Sequence, residues 1–151
     1  MTTINLVNSP EEKFLRTVCT EVSDFDDTLK TQISQLMEVA NAHRSECAGL
    51  SMNQIWKLDG PIPRVFIIQA ETGWEIFINP KIVRSWNKTV KDFEGCLSVP
   101  KVLVKKERAR HIRVEFVDSN FNKVEMELYD FAARVFQHEL DHLDGKTFLD
   151  E

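Results

Sequence analysis

The chain has no even set of cysteines. Three of them, Cys19, Cys47 and Cys96, are scattered irregularly over 151 residues, which excludes a fully paired disulfide framework and leaves thiols for packing or metal binding. No apolar run is long enough to span a bilayer. The opening residues, Met1-Thr2-Thr3-Ile4-Asn5, lack the basic segment and apolar stretch of a secretory signal, so a cytoplasmic location away from membranes is expected. Net positive charge is also missing. At a formal -5 the chain has no general attraction to nucleic acid, and the local basic stretch Lys101, Lys105, Lys106, Arg108 and Arg110 has no aromatic interleaving and reads as a solvated strand edge. Repeats, low-complexity tracts and linkers are absent too. With 42% hydrophobic and 28% charged residues, residues 1–151 read as one globular domain, expected to be monomeric.

What is present is periodicity of two kinds. Leu29, Ile33, Leu36, Met37 and Ala40 recur at helical spacing within Thr28 to Ala42, with Asp26, Asp27 and Thr28 as capping candidates. Short β-type segments follow at Val65 to Ile68, Ile76 to Ile78 and Ile82 to Trp86, separated by Gly, Pro and Asn. Ile112, Val114 and Phe116 alternate with polar partners, Asp118-Ser119-Asn120 reads as a turn, and Val124, Met126 and Leu128 alternate again, predicting a hairpin. A last helix is predicted from Asp130, its expected N-cap, to Leu143, with Gly145 as the stop. Helix, strands, helix gives an α+β class, with small antiparallel β-sheets packed around the last helix.

That helix carries Gln137-His138-Glu139-Leu140-Asp141-His142, an H-E-x-x-H pattern. Positions i and i+4 lie one turn apart on the same face, so His138 and His142 can converge on one metal ion. Phe131, Val135, His138 and His142 follow a 4-3-4 spacing that predicts a buried apolar face bearing both histidines. Buried imidazoles need partners, and a metal supplies one to both. Glu139, about 100 degrees round the helix from His138, is a candidate general base. A catalytic metal of this type usually takes three protein ligands and keeps one position open. Cys96, in Glu94-Gly95-Cys96-Leu97-Ser98-Val99-Pro100, can be the third; without the histidine helix it would read as a small buried apolar residue.

The segments Glu94 to Pro100 and Gln137 to His142 closely resemble two signature motifs of the peptide deformylase family. A third signature, usually G-x-G-L-A-A-x-Q, resembles Cys47-Ala48-Gly49-Leu50-Ser51-Met52-Asn53-Gln54, where Gly49, Leu50 and Gln54 match. The resemblance implies a metal-dependent hydrolase that removes the formyl group from the N-terminal formyl-methionine of nascent polypeptides. It implies one divalent ion, Fe2+ first and Zn2+ as the alternative, on Cys96, His138 and His142. Glu139 would be the catalytic acid/base, with Gln54 and the Leu97 backbone N–H as donors to the oxyanion. Gly49 would line the site and let substrate come close, and the methionine side chain would lie near Phe131 and Val135. Formyl-methionyl peptides would be the partners, in proximity to the ribosome.

Two departures stand out. Cys47 replaces the first motif glycine, and Ser51, Met52 and Asn53 replace smaller or more rigid residues expected near the substrate groove. The sequence ends nine residues after His142, which resembles the short forms of the family, phage-encoded or reduced. The rival readings are a zinc peptidase sharing H-E-x-x-H, a domain with a purely structural metal, and an inactive peptide binder. Cys96 lies upstream of the helix, against the usual peptidase order, and no fourth Cys or His at motif spacing closes a structural site.

Overall fold

The computed structural model describes residues 3–150. A short helix, α1 (Glu12–Leu15), precedes α2 (Asp27–Ala42), β1 (Gly49–Ser51) and a single 3-10 turn over Met52–Gln54. Then come β2 (Val65–Ala70), β3 (Gly73–Ser85), β4 (Thr89–Cys96), β5 (Val99–Ala109), β6 (His111–Val117), β7 (Lys123–Tyr129) and α3 (Asp130–Leu143). The strands form a five-stranded antiparallel sheet in the order β1-β2-β3-β6-β7, and β4 and β5 pair separately as a two-stranded ribbon.

The expected β6–β7 hairpin is present, with Ile112 opposite Leu128, Val114 opposite Met126 and Phe116 opposite Val124. Its turn is tied by the Asp118 carboxylate, which accepts from the backbone N–H groups of Asn120 and Asn122. The helix expected at Thr28 starts one residue earlier, capped by Asp26, whose Oδ1 accepts from the Leu29 N–H at 3.0 Å.

Three expectations are corrected. Ile76 to Ile78 and Ile82 to Ser85 are not two strands but parts of β3, with Trp86 just past its end, because Asn79 and Pro80 bulge the strand without ending it. Asn79 sits at φ 51, and its side chain exchanges hydrogen bonds with the backbone N–H and C=O of Val22. Asp130 does not cap α3: its backbone is left-handed at φ 52 and its carboxylate accepts from Arg110 Nε at 2.8 Å. The basic stretch is solvated only in part. Lys101 and Lys105 are exposed, whereas Arg108 is buried and held by carboxylates.

Packing fixes the rotation of α3. Phe136 meets Phe66 of β2 and Phe77 of β3 edge-on, with ring centroids 5.1 and 5.5 Å apart and planes near perpendicular. With Ala133 and Leu143 also fully buried, this side of α3 is committed to the sheet. The positions roughly opposite, Arg134, His138 and His142, are buried as well, so the helix has two inner faces. Gly145 ends it at φ +75, where a Cβ would lie 2.7 Å from the Arg16 carbonyl oxygen.

Candidate active site

The second inner face of α3 and the end of β4 bring three donors together. Cys96 Sγ lies 3.4 Å from His142 Nε2, which lies 3.2 Å from His138 Nε2. Tetrahedral coordination with Zn–N and Zn–S bonds of the usual length would separate such donors by about 3.4 to 3.6 Å, so these spacings suit one small divalent ion. The electrostatics ask for one too. Burial opposes a proton on His138, yet the Cys96 sulfur and the Glu94 carboxylate overcome it and push the imidazole up to about 10. Burial drives His142 the other way, aided by the charge of His138. A divalent cation would supply the positive charge that the cluster draws in as a proton.

Behind His138 lies a network that the motifs alone leave without a role. His138 Nδ1 is 2.8 Å from Glu94 Oε1, which leaves Nε2 turned toward Cys96 and His142. Glu94 also accepts a two-pronged contact from Arg108, Nε to Oε2 at 2.8 Å and Nη2 to Oε1 at 2.9 Å, and a third from Arg134 Nη1 at 2.8 Å. Burial would raise the Glu94 carboxyl, but the hydrogen bonds from Arg108 and His138 hold it far below the usual carboxylate range. Sequence reasoning missed Arg108 because it stands in a basic run, and Arg134 because it lies between residues read as apolar. Glu94 could have been found: a ligating histidine needs an acceptor on its other nitrogen, and Glu94 lies in the same motif as Cys96.

Glu139 is buried beside the donors but is not one of them. Its Oε1 accepts from Ser51 Oγ at 2.6 Å, and its Oε2 is 4.0 Å from His138 Nε2. Burial raises its carboxyl above the ordinary value, with the His138 charge and the Ser51 hydroxyl opposing. Gly49 makes room for it: a Cβ there would come 3.0 Å from Glu139 Cγ and Oε2 and 3.1 Å from the Ile67 carbonyl oxygen. The space that Gly49 leaves is thus occupied by the carboxylate, in addition to any approach by substrate.

Gln54 is aimed by its own turn. Ser51 and Gln54 form a capping box, with Gln54 Oε1 accepting from the Ser51 N–H at 2.9 Å. Nε2 is thereby directed at Ser98 Oγ, 3.0 Å away, and at Cys96 Sγ, 3.6 Å away. Leu97, half-buried, stands in the two-residue turn between Cys96 and Val99.

These groups open on a cavity of about 1000 Å³ lined by, among others, Gly49, Gln54, Leu97, Phe131, Val135 and Glu139. Val135 is buried at 6%, as its helical spacing predicts, but Phe131 is 68% exposed and stands at the rim. It stands in the first turn of α3, on the side of the helix that borders the cavity. The expectation for Ser51, Met52 and Asn53 is corrected: all three are fully buried and none lines the cavity. Ser51 bonds Glu139, and Asn53 donates to the His142 carbonyl. Cys47 does line the cavity, its thiol donating to the Gly49 carbonyl at 3.2 Å and pushed up to about 12 by burial and the charges of Glu139 and Cys96.

A family model described as polypeptide deformylase matches residues 3–151. The chain belongs to that family. Relatives in the family include the peptide deformylase of Thermotoga sp. (strain RQ2), 37% identical over 136 residues that span 90% of this chain and 79% of that protein. Peptide deformylase 1 of Clostridium perfringens is 32% identical over 142 residues, 93% of this chain and 92% of that one. Among solved structures, the peptide deformylase of Thermotoga maritima superposes with a TM-score of 0.87 at 34% identity, covering 100% of this chain and 97% of the other. That of Synechococcus elongatus in complex with actinonin gives 0.86 at 30%, covering 99% and 77%. Membership sets aside the peptidase reading of H-E-x-x-H, and the α+β fold expected from the sequence is the fold of the family.

Proposed function

We propose that this deformylase-family chain hydrolyses the formyl group from the N-terminal formyl-methionine of nascent polypeptides, using one divalent ion held by Cys96 Sγ, His138 Nε2 and His142 Nε2. Such an ion would supply Lewis acidity and lower the pKa of a water bound to it. A thiolate among the ligands suits iron or zinc better than magnesium or calcium, and Fe2+ is our first assignment, Zn2+ the second.

The rest is the work of the chain. Glu139, held by Ser51 at Oε1, has Oε2 free to take a proton from the attacking water and return it to the departing amine nitrogen. Water adds to the formyl carbon, the C–N bond breaks, and formate and a free α-amine result. Gln54 Nε2 and the Leu97 N–H serve as donors to the carbonyl oxygen as it gains negative charge. The methionine side chain packs against Val135 and under Phe131, with Gly49 on the facing wall. The observation that carries this reading is the convergence of Cys96, His138 and His142 beside a buried carboxylate that belongs to none of the ligating pairs.

Among the described residues no helix is long and apolar enough to cross a membrane. We place the protein in the cytoplasm as a monomer near the ribosome, where its formyl-methionyl substrates emerge. The test is anaerobic assay of formate release from formyl-Met-Ala-Ser, with metal content measured in parallel and Fe2+ and Zn2+ reconstituted separately. One ion per chain and activity that follows it are expected. Formate release unaffected by complete chelation would overturn the metal assignment, and no release by the fully loaded protein would overturn the activity.

A further inference from the structure

The metal donors come from two elements, Cys96 from the β4–β5 ribbon and the histidines from α3, and β4 itself makes few close backbone approaches to that helix. The distance from Cys96 to His142 therefore depends on β5, which does meet α3, and on the side chains that join ribbon to helix. Arg134 is one turn before His138, 8% exposed, and spends its guanidinium on three acceptors of the ribbon. Nη1 donates to Glu94 Oε2 at 2.8 Å and to the Lys106 carbonyl at 2.9 Å, and Nη2 donates to the Val90 carbonyl at 2.6 Å. Val90 and Glu94 lie on β4 and Lys106 on β5, so one side chain ties α3 to both strands.

The same contact completes Glu94. A carboxylate has about four acceptor positions. Arg108 takes one on each oxygen, His138 Nδ1 the second on Oε1, and Arg134 the second on Oε2. A buried arginine is costly unless its donors are satisfied, and Arg134 meets its acceptors only in this arrangement of ribbon and helix.

We infer that Arg134 is a positioning residue of the metal site: it fixes the β4–β5 ribbon against α3 and holds Glu94 where His138 keeps Nε2 facing Cys96 and His142. The inference rests on the metal assignment made above. It predicts that Arg134 governs how tightly and in what geometry the ion is held, and does not simply form a wall of the substrate cavity.

The test uses Co2+ as probe, with wild type, Arg134→Met and Arg134→Lys compared anaerobically by chelator competition, by the visible spectrum of the cobalt protein, and by kcat and KM on formyl-Met-Ala-Ser. Arg134→Met should weaken Co2+ binding roughly 10- to 100-fold, the range for loss of groups that orient a ligand, and should alter the cobalt ligand-field bands. KM should stay within about twofold. Arg134→Lys, a point donor that cannot serve all three acceptors at once, should fall between the two, and it carries the test if the methionine variant does not fold. Wild-type affinity and spectrum in either folded variant, with only the melting temperature lowered or only KM raised, would overturn the inference. Failure of the wild type itself to bind one Co2+ would instead overturn the metal assignment on which it rests.

Discussion

At Gly49 the side chain is absent because a catalytic candidate needs the space. Replacing it with alanine puts a methyl group 3.0 Å from two atoms of Glu139 and 3.1 Å from a backbone oxygen of β2, and the carboxylate is the neighbour able to move. Misplacement of a reacting group by about 1 Å costs on the order of 100-fold in rate. Gly49→Ala should therefore lower kcat by about that factor while metal content stays at the wild-type level, measured by formate release and elemental analysis on the same sample. Glu139→Ala goes further. It removes the proton carrier and no ligand, so metal should be retained and activity should fall by roughly 10,000-fold, the top of the acid–base range. Metal loss matching the activity loss would make Glu139 a ligand. Cys19 offers a control away from the site: burial pushes its thiol up to about 12, so at pH 8 it stays protonated in the folded chain, whereas an unfolded cysteine ionises near about 8.5. Its reaction with a disulfide reagent at pH 8 should be at least about 100-fold slower in buffer than in urea.

Among the elements, α3 was the most legible, because two codes coincide in it: a helical recurrence of apolar residues and histidines one turn apart. On its second inner face His138 and His142 were read as buried, and Arg134 was not. Arg134 breaks the apolar pattern, and no spacing rule says that Val90, Glu94 and Lys106 will meet it. The β4–β5 ribbon was nearly invisible for a related reason. Along its twenty-one paired or turning positions, 89 to 109, only Glu94, Ser98 and Arg108 are buried, all polar, so it shows none of the apolar alternation by which strands are recognised. The opposite error occurred at Asn79-Pro80, read as punctuation although the Asn79 amide, bonded to Val22, carries the strand through its bulge. At the end of α3, Gly145 was read correctly as the stop, and the structure adds why nothing else fits. Gly145→Ala meets the Arg16 carbonyl at 2.7 Å with an unfavourable φ of +75. It should cost about 2 kcal/mol, within the range for a strained backbone position, and lower the melting temperature by several degrees. An unchanged melting temperature would mean the α1–α3 junction yields at no cost.

Across the whole molecule, the sequence conveyed the class and the family and pointed to Cys96, His138 and His142, which the fold brings together, and it left open how ribbon, sheet and helix are fastened together. The tail shows one such fastening. Phe148 is 3% exposed with its ring 5.6 Å from that of His138, and Asp150 pairs with Arg16 at 2.6 Å, so residues near the chain's end form part of the wall behind a metal donor. The spacing between Cys96 and His142 has a further consequence in polymer terms. They are 46 residues apart in sequence and 3.4 Å apart in space. An ion bound to both is a reversible cross-link, closing a long loop whose freedom the unfolded chain would otherwise keep. Its stabilising effect then follows mass action, about 2.7 kcal/mol when free ion stands at 100 times its Kd. Titrating Zn2+ into apoprotein should raise the melting temperature continuously with the logarithm of free metal, with no plateau at one equivalent. Cys96→Ala, which opens the loop, should flatten that dependence.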